Sequence, residues 1–62
     1  MKLIKKQGKN IVISVTSDEL IIVNNALNEV CNGLYIDEFE TRIGFSIEQV
    51  NKLLVDLQDA LK

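Results

Sequence analysis

The chain has 62 residues, of which 47% are hydrophobic and 26% charged, and its formal net charge is −2. Such a length predicts a single small domain over residues 1–62, which buries a modest part of its surface and is marginally stable alone. One cysteine excludes an internal disulfide, and the absence of histidine removes the usual metal ligand and the usual base of nucleophilic catalysis. We therefore expect no metal, no cofactor and no enzyme activity.

Charge is distributed unevenly along the chain. The first ten residues carry four lysines and no acid, whereas the remainder has three basic residues against nine acids, a net of −6. The lysines are typical of a strand edge protected against pairing, or alternatively of a basic binding patch. The acidic remainder argues against nucleic acid as a partner, because binding it requires cations that neutralise phosphates. No segment has transmembrane length and no signal-peptide core follows the lysines, so we expect a cytoplasmic protein without a membrane partner.

The N-terminal residues predict a β-hairpin. Residues 2–6 and 11–15 have strand character, the second being rich in β-branched residues, and Gly8 lies in the turn between them. We expect Ile11, Ile13 and Val15 to face the next helix. Two strands alone are barely stable, so the hairpin must pack on that helix or pair across a dimer.

The segment Asp18–Asn32 predicts a central helix. Thr16 and Glu19 have the spacing of a capping box, and Gly33 should end the helix in a left-handed conformation. The inward stripe is expected to contain Leu20, Val23, Leu27 and Val30. Further apolar residues outside this stripe predict that the helix is covered by a sheet on one side and by another helix, or a second subunit, on the other.

The same helix has an unusual number of asparagines. Asparagine is a poor residue for a helix interior, because its amide competes for backbone hydrogen bonds. Asn25, Asn28 and Asn32 fall on one side at helical spacing. This strip is either an ordinary solvated face or an uncharged hydrogen-bonding surface that meets a partner, since broken local rules can mark functional sites.

Two more helices are predicted after Gly33. Asp37 is expected to cap a short helix over Glu38–Ile43, and Ser46 to cap a longer amphipathic helix in a second capping box. The fold class is therefore α+β, with an N-terminal β-hairpin followed by a central helix, a short helix and a C-terminal helix, in the order ββααα.

Two segments carry a resemblance to known proteins. Residues 24–33 read NNALNEVCNG and residues 38–44 read EFETRIG. Together they resemble the core of a group of small bacterial proteins with no assigned activity. The resemblance implies a bacterial, cytoplasmic and non-enzymatic protein, and it transfers no catalytic residue.

Our first functional hypothesis is a protein–protein interaction module, such as an immunity or antitoxin-like inhibitor of a basic partner. An acidic chain without catalytic equipment suits that role, because opposite charge steers the encounter between two proteins. Aromatic anchors and polar groups would make the contact. The predicted partner-binding residues are Asn25, Asn28, Glu29, Asn32, Tyr35, Asp37, Glu38 and Glu40.

Two alternatives stay open. One is a self-associating homodimeric structural protein, which the broad apolar surface of the central and final helices suggests. The other is a helix-turn-helix-like DNA-binding regulator built on residues 38–61. Against DNA binding, Glu40 stands where a small residue normally lets the two helices close. Residues 37–62 also carry six acids and three bases.

Overall fold

A computed structural model describes all 62 residues. The strands β1, Lys2–Gln7, and β2, Asn10–Ser14, form an antiparallel hairpin. Three α-helices follow, namely α1, Ser17–Asn28, α2, Phe39–Ile43, and α3, Ile47–Ala60. The predicted ββααα order of an α+β fold is confirmed. No helix combines the length and the apolar character needed to cross a membrane.

The hairpin turns at Gly8-Lys9, where Gly8 has a φ of 59°. That angle suits glycine, which lacks the Cβ that makes a left-handed conformation costly. Leu3 lies opposite Ile13 and Lys6 lies opposite Ile11, with a bulge between Leu3 and Lys5. Strands begin and end within one residue of the predicted boundaries.

The hairpin does not cover the central helix, and our prediction of that contact is wrong. Ile11 and Ile13 are 62% and 46% exposed, and only Val15 of the predicted inward set is partly buried. Extensive contacts of the hairpin are confined to its own two strands. The two residues between β2 and α1 lead the chain directly into the helix without folding the sheet back over it.

The central helix has the capping box that was predicted at its start. The Thr16 hydroxyl accepts from the Glu19 backbone N–H at 3.1 Å, and the Glu19 carboxylate accepts from the Thr16 backbone N–H at 2.9 Å. These reciprocal bonds form a capping box and satisfy two backbone donors that a helix start leaves open. Glu19 also forms an ion pair with the amino group of Met1, which ties β1 to the start of α1.

The end of the central helix differs from the prediction. The α-helix ends at Asn28, and Glu29–Gly33 continue as a π-helical turn in which the Leu34 N–H donates to the Glu29 carbonyl at 2.8 Å. Gly33 does not adopt a positive φ, so the predicted left-handed stop is wrong. A Cβ at Gly33 would meet the Glu29 carboxyl group, but that group is the end of an exposed, flexible side chain that can rotate away, so space does not require glycine there.

The core is small and lies between the helices. Helix α3 packs on α1 and on the π-helical turn, and this contact buries Val50 and Leu54, the only two buried residues in the chain. The predicted stripe of α1 is half-buried against α3. Ile21 and Ile22, on other sides of α1, stay exposed. We expected the central helix to be covered on two sides, but only the side that faces α3 is covered.

The molecule is open for its size. Its accessible surface is 5150 Å², whereas a folded monomer of this mass is expected to expose about 4,000 Å². The radius of gyration is 13.0 Å, against about 10.5 Å for a compact chain of this length. The excess is about 1,100 Å². Fifteen large hydrophobic side chains are exposed and contribute apolar area to the surface.

We predict that stability depends on pH through Glu19. Its hydrogen bond with the amino terminus, followed by the bond from the Thr16 backbone, lowers the pKa of this carboxyl from 4.5 to about 2. Because the folded-state pKa is depressed, the stabilisation by ionised Glu19 is present above about pH 4.5 and is lost as the pH falls towards 2. Titration of Glu19 by NMR checks the pKa.

The matched variant is Glu19→Gln, which keeps an acceptor for the capping box but has no charge. Wild type should be more stable than this variant at neutral pH, and the difference should shrink below about pH 4.5. A difference that stays constant down to pH 2 would contradict the assignment.

Candidate protein-binding surface

The predicted asparagine strip is exposed on the last turn of α1 and on the π-helical turn. Asn32 donates from its amide to the side-chain oxygen of Asn28 at 3.1 Å, and Asn25 accepts from Asn24 at 3.4 Å. Asn24 itself lies on the half-buried side of the helix, where its amide oxygen has no hydrogen-bond partner. The remaining amide donors and acceptors of the strip are free for a partner.

The π-helical turn gives this strip an uncommon backbone. π-Helical turns are rare and are often found at functional sites, because the wider turn displaces side chains from regular helical positions. Glu29 begins the turn and its carboxyl group lies over Gly33. Cys31, within the same turn, is a free cysteine and half-buried. The structure thus places Glu29 and Asn32, both predicted binding residues, in one irregular segment.

The acidic segment follows after a short connection. Tyr35 is 92% exposed, so its ring is available as an anchor. The predicted cap at Asp37 is wrong, because α2 begins at Phe39 with Glu38 as its N-cap residue and no side-chain capping bond forms. Glu38 has a φ of 52° and is the only non-glycine residue with a positive φ. A residue other than glycine in this region is strained, and such strain is enriched at functional sites.

The predicted acids form no ion pair. The chain forms three ion pairs, Met1–Glu19, Lys52–Asp56 and Lys62–Asp59, and Arg42 takes part in none of them. Asp37, Glu38 and Glu40 are therefore exposed carboxylates without an ion-pair partner in the chain. All eight predicted residues are exposed, although no hydrogen bond or ion pair joins the asparagine strip to the acidic segment.

We predict that Glu38→Gly stabilises the protein by about 1 kcal/mol, because it removes the left-handed strain of a residue with a Cβ. Glu40→Gly is the control, since Glu40 is in the first turn of α2 and glycine disfavours helix by about 1 kcal/mol. Urea unfolding of both variants should show shifts of opposite sign. A destabilised Glu38→Gly would disprove the strain.

Sequence patterns did not reveal an apolar notch on α3. Phe45, Gln49, Val50 and Leu53 line an open hollow of about 240 Å³, which we call the α3 notch. Phe45 is 61% exposed although it is a large aromatic side chain. A signal for it in the sequence is Leu53, an apolar residue beside Val50 and Leu54 that widens the apolar face of α3.

The helix pair considered for DNA binding has little of the required architecture. Helix α2 has five residues and does not pack extensively on α3. Lys52, the only cation in the first half of α3, lies 3.4 Å from Asp56 in an ion pair. Phosphate contacts need cations that are free to neutralise charge, so these observations add no support to that alternative.

Comparisons with protein families, with curated protein sequences and with solved structures found no match to this chain.

Proposed function

We propose that the chain is a small cytoplasmic protein–protein interaction module whose amide and acidic surface binds a basic partner, as an immunity or antitoxin-like inhibitor does. The observation that carries the proposal is the exposure of all eight predicted residues, among which Asp37, Glu38 and Glu40 have no ion-pair partner in the chain. Exposed groups without an intramolecular partner are free to contact another protein.

The chemistry of the surface supports a basic partner. Asp37, Glu38 and Glu40 present three unpaired negative charges within four residues, and the exposed ring of Tyr35 lies close to them in sequence. Charge complementarity raises association rates and selects against acidic competitors, while a central aromatic anchor provides much of the binding free energy. The asparagine strip adds hydrogen-bonding groups without a charge that must be desolvated.

The experiment compares capture of proteins from a native lysate by wild type and by two charge-reversal variants. Asp37→Lys with Glu40→Lys changes the proposed surface. Glu48→Lys with Asp59→Lys changes the charge equally on α3, and Glu48 matches Glu40 as an acid in a first helical turn. We expect a basic protein that wild type and the α3 variant retain and that the first variant loses.

Binding of the purified partner should then weaken at least about tenfold with the first variant and fall with rising salt, as expected for exposed opposite charges. Equal retention by both variants would show that the acidic segment is not the binding surface. Loss of retention by both variants to the same extent would show that only the total charge matters.

A further inference from the structure

We infer that this chain binds a second copy of itself, with the apolar face of each hairpin seated in the α3 notch of the other copy. This inference rests on the interaction-module part of the proposed function and names one partner for it. It uses a surface other than the asparagine strip and the acidic segment, so the two proposals fail separately.

The first half of the contact is a ridge on the hairpin. Leu3 and Ile13 are directly opposite each other, and Ile11 is two residues further along β2 on the same face. We call these three side chains the hairpin ridge. All three are exposed, and no helix of the same chain covers them. A two-stranded hairpin is marginal in water unless one face is packed, so the ridge requires a cover.

The second half is the α3 notch, a hollow with a mostly apolar lining that would receive the exposed apolar side chains of the ridge. Phe45, which is 61% exposed, and Leu53, which is 50% exposed, line the notch. The notch holds about 240 Å³, which is room for one or two aliphatic side chains. Ridge and notch belong to one chain, so a two-fold axis would form the same contact twice.

Charge also favours a second copy. The hairpin carries Lys2, Lys5, Lys6 and Lys9, and Lys6 lies on the ridge face opposite Ile11. The rest of the chain has a net charge of −6. Seating each hairpin on the helices of the other copy therefore places the lysines against a part of the chain with the opposite net charge. A basic protein seated on the hairpin ridge would instead be repelled by these lysines, whereas the basic partner proposed above binds the acidic segment.

The exposed area matches what a dimer needs. The excess of about 1,100 Å² per chain amounts to about 2,200 Å² for two copies, within the size range of stable homodimer interfaces. A second copy would cover the ridge and the notch and would also supply the closed core that two buried residues do not provide.

The test measures mass by light scattering from about 1 µM to about 500 µM protein. Wild type should approach twice the chain mass of 7.0 kDa. Ile11→Lys on the ridge and Leu53→Glu in the notch should each raise the dissociation constant at least about 30-fold. The control is Ile22→Lys, at an exposed position on α1 outside the contact, which should leave the dissociation constant unchanged.

Mixing separates a broken contact from a failure to fold. A pair formed from the Ile11→Lys chain and the Leu53→Glu chain has one unaltered contact and one in which lysine meets glutamate, so the mixture should give a heterodimer. If either single variant is unfolded alone, the mixture should regain helical circular dichroism. A mixture without association would overturn the inference.

Two other results would also overturn it. One is a monomer mass for wild type at about 500 µM, which would leave the acidic surface and its capture experiment unaffected. The other is a wild-type dimer that the Ile22→Lys substitution dissociates, while Ile11→Lys and Leu53→Glu leave it intact. That result would assign the interface to α1 instead.

Discussion

Leu54→Ala is expected to lower the free energy of unfolding by about 3 kcal/mol, the largest effect of any single truncation in the chain. Leu54 is 3% exposed and is one of two buried residues, between α3 and the central helix. Its replacement removes buried methyl groups and leaves a cavity that neighbouring side chains fill only in part. Domains of this length have total stabilities of about 3–9 kcal/mol, so the variant should lose much of its folded population.

Urea unfolding followed by helical circular dichroism measures this loss. Val55→Ala is the matched control, because Val55 is the next residue on α3 and is 51% exposed. Alanine there loses little packing and gains helix propensity, so the change should be within about 0.5 kcal/mol. Equal effects of the two variants would show that Leu54 is not at the centre of the core.

Ser46→Ala is expected to destabilise the protein by about 1 kcal/mol. The Ser46 hydroxyl accepts from the Gln49 backbone N–H at 3.2 Å, and the Gln49 side chain accepts from the Ser46 backbone N–H at 2.9 Å. Alanine removes the hydroxyl acceptor, so the Gln49 backbone N–H in the first turn must bond to water instead. Because α3 supplies both buried residues, fraying at its start weakens the whole core.

The control for this prediction is Ser17→Ala. Ser17 is the first residue of α1, exposed, and its hydroxyl forms no hydrogen bond, so its removal should change stability by less than about 0.5 kcal/mol. Thermal unfolding of both variants under the same conditions separates the capping bond from the general replacement of serine by alanine. A larger loss with Ser17→Ala would contradict the assignment of the cap.

The elements were predictable where short-range chemistry defines them. Thr16 and Ser46 begin α1 and α3 because each side chain bonds a backbone group three residues away, a relation visible in sequence. Gly8 turns the hairpin for a different local reason, because glycine without a Cβ takes a φ of 59° at low cost. Asp37 was predicted as a cap by the same capping rule and failed, because Glu38 takes a left-handed conformation and places the helix start one residue later.

The candidate surface was predictable only as a set of exposed residues. Asparagines and acids are polar, so their exposure follows from composition, and all eight are exposed. Their backbone was not predictable, since the π-helical turn at Glu29–Gly33 and the strain at Glu38 depend on how the chain leaves α1. The α3 notch was also missed, because Gln49 and Leu53 are neighbours by helical spacing but Phe45 joins them only through the turn before α3.

By itself, the sequence determined the order of strands and helices, the helix starts and the uneven charge, because these depend on neighbouring residues and on composition. Tertiary structure alone decided which apolar residues are covered. Ile11 and Val50 are both β-branched apolar residues, yet Ile11 is 62% exposed and Val50 is 8% exposed. Burial requires a second surface at the right place. The chain supplies that surface for α3 and leaves the hairpin without one.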